Sequence, residues 1–267
     1  MSGPKTDHRS VEDLFEAVLQ ADDDAAWDAV AALHWRGSEE VLARAINLTR
    51  SSDAAWRARG VDVLSQLGIP DRTFPSQCFA VVCPLLADEA ASVVRSAIYA
   101  LHHIDSVQAA SHIIPFAAHL NDDIREAVAF GLNAVDTSEA HDALLRLMRD
   151  RSADVRNWAT FGIARQSEID NSDIRIALLA GLADADYEVR YEAAIGLARR
   201  RDIRSVKNLK QLLHEDPGDI FAREAATMLL GLSESETDTA KLLGALQRLD
   251  RCTHPLWTAG TLHRLGV

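Results

Sequence analysis

Side chains able to do chemistry are plentiful in this sequence but poorly placed for it. The ten histidines are scattered along the chain. His102 and His103 are adjacent, so on a helix they point about 100° apart and do not converge on one metal ion. His112 and His119 lie two turns apart, too far for the spacing with which a zinc-binding helix presents two ligands. Cys78, Cys83 and Cys252 are odd in number and have no CxxC spacing, which argues against a disulfide framework or a zinc site. They read as small buried hydrophobes in a reducing cytoplasm. There is no HExxH, no GxSxG and no phosphate-cradling glycine loop. Carboxylate pairs are common, as a charge-rich surface supplies them by chance. The expectation is a protein with no catalytic residues, no cofactor and no metal.

What would position any functional side chain is a repeat. The stretch from Asp184 to Arg199 reads DADYEVRYEAAIGLAR, and the rest of the chain can be aligned to it with Arg190 as position zero. Equivalent positions are Ala26, Arg57, Val94, Arg125, Arg156, Arg190, Arg223 and His254, at spacings of 31, 37, 31, 31, 34, 33 and 31. A period in that range marks stacked helical repeats. Four residues before zero stand Asp22, Asp53, Ala90, Asn121, Ser152, Asp186, Asp219 and Asp250. All but Ala90 can accept a hydrogen bond from a free amide, as the N-cap of a helix does. Three residues after zero the side chain is small in most copies, and seven after it is usually Leu or Ile. A small residue followed one turn later by a large one suits a helix lying close against its neighbour. The first and last copies lack the arginine, as capping repeats that face water would.

Each repeat should therefore be a helix pair. The pattern predicts 11–20 with 22–35, 39–50 with 53–68, 76–87 with 91–103 and 107–119 with 122–134. It continues with 138–149 and 153–166, 172–183 and 187–200, 204–214 and 220–232, and 237–249 with 254–265. The fold class is all-α, an α-solenoid of about eight helix pairs occupying residues 10–267 as a single domain, after a disordered tail over 1–9. The one long spacing is explained by Gly68–Pro75, a stretch with two prolines and a glycine. It reads as an inserted surface loop, with a contact element or hinge as the alternative.

A net charge of −12 argues against a protein that grips nucleic-acid phosphates and points to a basic partner or to solubility. Seven acids and no base fall between Val11 and Val30. Six bases against Asp202 fall between Arg199 and Lys210, read as a solvated turn and outer helix face, with a patch for phosphate or an acidic partner as the alternative. No run approaches the ~18 apolar residues of a membrane span, and the polar start MSGPKTDHRS is not a signal peptide. The expected location is cytoplasmic.

On Asp186-Tyr-Glu-Val-Arg190-Tyr-Glu-Ala193-Ala-Ile-Gly-Leu197 and Asp154-Val-Arg156-Asn-Trp-Ala159-Thr-Phe-Gly-Ile163, the chain resembles bacterial HEAT-repeat proteins, including the phycobilisome-lyase-like branch. The resemblance covers residues 11–265 and implies antiparallel helix pairs in a right-handed superhelix. It also implies that Arg57, Arg125, Arg156, Arg190 and Arg223 pair with aspartates in neighbouring turns as a ladder, rather than forming a phosphate-binding row. In the generic repeat the residue five after zero is polar and faces solvent. Here the central copies read Tyr99, Phe130, Phe161, Ile195 and Met228, and offset one on the same face reads Arg95, Glu126, Asn157, Tyr191 and Glu224. These ten are the expected protein-binding residues, an apolar seam with a polar edge; the alternative is that they pack between repeats. The expected function is a non-enzymatic scaffold holding a protein partner on its concave inner-helix face. A sharper form is an inhibitor or immunity-type protein for a basic partner. The alternative is a bilin-lyase-like or DNA-glycosylase-like enzyme, for which Trp158 and Asp154 would supply an aromatic and a carboxylate.

Overall fold

The computed structural model describes residues 6–20, 23–215, 224, 227 and 228. All regular structure among the described residues is helical. The chain falls into two compact units, Met1–Ala143 and Leu144–Val267. The first unit contains α1 (Val11–Val18), α2 (Asp23–His34), α3 (Glu39–Leu48), α4 (Ala54–Ser65), α5 (Pro75–Val82), α6 (Ala91–Ile113) and α7 (Asp122–Gly131). The division falls within α8 (Ser138–Leu147), and the second unit continues with α9 (Ala153–Phe161), α10 (Ser172–Gly181), α11 (Tyr187–Arg199) and α12 (Val206–Glu215). The helix pairs expected beyond residue 215, the caps Asp22, Asp219 and Asp250, and position zero at Arg223 and His254 lie outside the described residues.

Local chemistry explains where these helices begin. Asp53 accepts from the amides of Ala55 and Trp56, Asn121 from Asp123, and Asp186 from Glu188 and Val189. A free carboxylate or amide oxygen at this position satisfies donors that no turn of the helix can reach. Ser152 makes no such side-chain bond, and Ala90 has no oxygen to offer. In those two copies an aspartate two residues earlier takes part: Asp88 accepts from the amide of Ala90 and Asp150 from that of Ser152, both at 2.9 Å. Asp184 does the same for Asp186.

The arginine column is structural. Arg57 reaches back with Nη1 to the carbonyls of Ser51 and Ser52, and forward to Asp88 through two 2.8 Å bonds, from Nε and Nη2. Arg156 repeats the arrangement with the carbonyls of Asp150 and Arg151 and the carboxylate of Asp184, again at 2.8 Å twice. Arg125 and Arg190 make the same backward bonds, to His119 and Leu120 and to Asp184 and Ala185. A planar fork with five donors fits a turn carbonyl pair and a carboxylate at once, which a lysine could not do.

Inside each unit the small and large positions face the core. Ala97, Ala159 and Ala193 are buried with Leu64, Leu101, Leu132, Ile163 and Leu197. Gly60 shows why the small residue is needed: a Cβ there would lie 2.8 Å from the Ala45 carbonyl oxygen and from the Thr49 amide nitrogen of the facing helix.

Three departures from regular pairing have local causes. Helix α6 is broken at Asp105, whose φ of −160° and ψ of 92° are extended. The Asp105 carboxylate caps the resumed helix at the amide of Gln108, so the two helices expected at 91–103 and 107–119 are both present. The last turn expected in 153–166 widens into a π-turn over Gly162–Gln166. Arg200 bonds the Ile163 carbonyl within this turn and the Ser167 and Ile169 carbonyls just after it. The long loop after α4 is not loose. The His34 carbonyl accepts from both Gly68 and Ile69, Arg72 N–H closes a turn on Gly68, and Thr73 N–H bonds Leu67.

Candidate interaction surface

In the first unit the second helices of successive pairs, α2, α4 and α6, with the start of α7, line a cleft of about 490 Å³. Its walls are small: Ala55, Ala58, Ala91 and Ser92. Its floor carries Asp62, whose side chain is only 12% exposed. Burial pushes this carboxyl up to about 6, against the pull of its hydrogen bond with Ser96 and of the charges on Arg59 and Arg95. Arg59 sits 3.6 Å from the carboxylate and stacks its guanidinium 5.1 Å from the centre of the Trp27 ring. Trp27 itself is half exposed. A large apolar ring left in water beside a buried carboxylate combines an apolar contact surface with a place for a cation.

The expected seam adjoins this cleft. Arg95 is exposed, belongs to the cleft lining and lies 5.2 Å from the Tyr99 ring. Tyr99 is half-buried and packs 4.9 Å from Phe130, which His102 meets edge-on at 4.8 Å. Glu126 acts on the Tyr99 hydroxyl, whose pKa burial raises and the carboxylate raises further. His103 completes the group at 5.9 Å from Phe130 and 5.2 Å from His102. The adjacent histidines therefore share one aromatic cluster, held by packing.

In the second unit the expected residues gather around a side chain the sequence reading did not name. Arg165 lies between the Phe161 and Tyr191 rings, 5.6 and 5.4 Å from their centres. It bonds Glu192 at 2.5 Å and Glu224 at 2.7 and 2.9 Å. The Tyr191 hydroxyl donates to Glu224, and burial together with that carboxylate pushes the phenol pKa upward. Burial likewise raises Glu192. Burial works to raise Glu224 too, but its bonds with Arg165 and Tyr191 outweigh this and hold it low. Asn157 donates to Glu188 at 2.6 Å.

Two expected contact residues are corrected by this geometry. Tyr191 and Ile195 are fully enclosed, so they belong to packing and to the internal ion network, not to a surface. Phe161, Asn157, Glu224 and Met228 remain partly exposed. Trp158 is half-buried against Phe161 while Asp154 is exposed. In the basic run after Arg199, Arg200 is spent on backbone carbonyls, while Arg199, Arg201, Arg204 and Lys207 are exposed, Arg204 with its charge met by Asp202. Trp27, Arg59 and Asp62 went unnamed although they stand at offsets one, two and five of the first two copies. Extending the two columns towards the N-terminus would have reached Trp27 and Asp62.

Residues 176–251 match the family model for HEAT repeats. Among solved structures, the Escherichia coli protein YibA is 24% identical over 92% of this chain and 94% of its own, with a TM-score of 0.70. The chain folds as a HEAT-repeat protein. The archaeal HEAT-like repeats protein of Thermococcus onnurineus NA1 aligns at 15% identity over 90% of this chain and 100% of its own, with a TM-score of 0.51. The complex of CpcE and CpcF of phycocyanin lyase from Nostoc sp. PCC7120 aligns at 14% identity over 91% of this chain and 96% of that one, also with a TM-score of 0.51. No curated protein matches. These likenesses carry the HEAT fold and no activity. Among the described residues no helix is long and apolar enough to cross a membrane.

Proposed function

We propose that this HEAT-repeat protein is a non-enzymatic scaffold that holds a protein partner against its second-helix face, with the Trp27–Asp62 cleft as the anchor for a basic side chain. The observation that carries this reading is the half-exposed indole beside a buried carboxylate. Arg59 already displays the mode of recognition, guanidinium over ring and next to carboxylate. An incoming arginine or lysine would find the same pairing from the open side. The net charge of −12 would speed the approach of a basic partner, and the Arg95–Tyr99–Phe130 seam would extend the contact. In its sharper form the scaffold sequesters that partner as an inhibitor or immunity-type protein.

The test is affinity capture from the native host with the unmodified chain and with a Trp27→Ser, Asp62→Asn double variant. The reading expects a basic protein retained by the first, lost from the second and released by moderate salt. A partner held equally by both proteins would refute the cleft as the anchor. One observation favours an enzymatic alternative of the glycosylase-like kind: an aromatic and a carboxyl with a raised pKa share one cleft. Base release from alkylated DNA, abolished by Asp62→Asn, would establish that alternative against the scaffold.

A further inference from the structure

The loop between α4 and α5 presents a problem that burial alone does not solve. Arg72 stands at a φ of 61°, a left-handed conformation that is uncommon outside glycine and asparagine. The turn is nevertheless fixed, because its backbone is tied to Gly68 and, through Gly68 and Ile69, to the His34 carbonyl. The side chain it delivers is only partly exposed. Nη1 of Arg72 is buried and has no hydrogen-bond partner among the described residues, and the same holds for the Thr73 hydroxyl beside it. Other inward-reaching arginines are met: Arg57 by Asp88, Arg156 by Asp184, Arg165 by Glu192 and Glu224, and Arg200 by backbone carbonyls.

The charges that face Arg72 are of the wrong sign for a structural role. His34, from the end of α2, and His103, from α6, both feel its charge, and no acid is among the groups acting on it. Asp71 next to it is exposed. His34 has Nε2 engaged at 2.9 Å with the Asp62 carbonyl, which can only accept, so that nitrogen carries the proton and Nδ1 is the acceptor. His102, beside His103, likewise spends Nδ1 on the Gly131 carbonyl at 3.1 Å. A guanidinium nitrogen drawn out of water is tolerated when something pairs with it. In a chain with 40 acids and 28 lysines and arginines, a carboxylate of its own would have been easy to supply.

We infer that Arg72, with His34 and His103, forms a receptor for a small oxyanion, a phosphate or carboxylate group, at the loop joining α4 to α5. Arg72 would give a charge-assisted bond from Nη1, and each imidazole would take up a proton as the anion arrives. The inference stands apart from the cleft and does not depend on a basic partner.

The test uses the full chain in chloride-free buffer, with histidine ring protons followed by NMR from pH 4 to 8. Inorganic phosphate and acetate, each at millimolar concentration, are the probes. Burial, assisted by the neighbouring positive groups, holds His103 down to about 4, and burial lowers His34. Bound anion should raise both midpoints, with saturation, by at least half a pH unit. Phosphate acting alone would identify a phosphate-selective site, and both acting would identify a carboxylate-tolerant one. Arg72→Asn, chosen because asparagine accepts positive φ, should weaken the response at least tenfold. Histidine resonances that ignore both anions in the unmodified protein would overturn the inference, whether or not the variant folds. So would a response that survives intact in a folded Arg72→Asn.

Discussion

Replacing Asp62 with asparagine should make the protein more stable at neutral pH. The side chain keeps its shape and its bond with Ser96, and loses only the charge. In the fold the Asp62 carboxyl titrates at about 6 against an ordinary 3.8. That difference corresponds to about 3 kcal/mol between its two protonation states. The sign follows from proton binding. Between those two values the folded protein holds a proton that the unfolded chain has released, so stability falls as pH rises through the window. Below it there is no penalty, and above about 6 the penalty is complete. The favourable effects of Arg59 and Arg95 are already contained in the raised value. Urea melts at pH 4 should therefore find the two proteins alike. At pH 7.5 the variant should gain about 3 kcal/mol, or roughly 6–12 °C in Tm, and the difference between the two proteins should open between pH 4 and about 6 and stay constant above it. A variant that melts lower than the unmodified protein at pH 7.5 would show that the arginines stabilise the carboxylate more than burial penalises it. The account of the cleft floor would then be wrong.

Other expected outcomes concern the ladder, the close packing and the aromatic seam. Arg156→Gln should cost about 2 kcal/mol, since it removes charge-assisted bonds to Asp184. Asp184 is held below its ordinary pKa chiefly by Arg156, so the unmodified protein should lose this contribution as pH falls through the depressed value, and the variant should lack that acid-sensitive component in urea melts. Gly60→Ala should destabilise by about 1–3 kcal/mol, because the new methyl meets backbone atoms at 2.8 Å that cannot swing aside. Phe130→Ser should cost about 2 kcal/mol, short of the ~3–5 of a full core phenylalanine, with the loss read by thermal melting; a negligible change would show that its contacts with Tyr99 and His102 do not hold the fold.

The helices were legible because each repeat states its own limits. Asp53, Asn121 and Asp186 declare a helix start, and the small–large pair after position zero declares the buried face. The arginine ladder was legible only through the family likeness, since its acceptors lie in the next turn along. The functional face was read by looking for apolar residues at a polar offset. Its column begins only at Tyr99, because the earlier copies hold Ala31 and Asp62 at offset five and show no apolar seam. Ile195 fits the same offset, yet the fold encloses it. No single repeat predicts the enclosure of Tyr191: it arises from Arg165, Glu192 and Glu224, contributed by different repeats. The π-turn at Gly162 likewise meets a partner from the following copy, Arg200, which bonds the Ile163 carbonyl.

The clamps at Arg57 and Arg156 close on stretches of unequal length. Arg57 meets its aspartate after 31 residues and Arg156 after 28, yet both end in the same pair of 2.8 Å bonds. The extra chain is taken up in the loop after α4, which folds back on the end of α2 and leaves the rung undisturbed. Length between rungs is thus free to vary while the joint itself is fixed. A protein made this way can acquire a new surface feature by lengthening one connection, without renegotiating the contacts on either side of it.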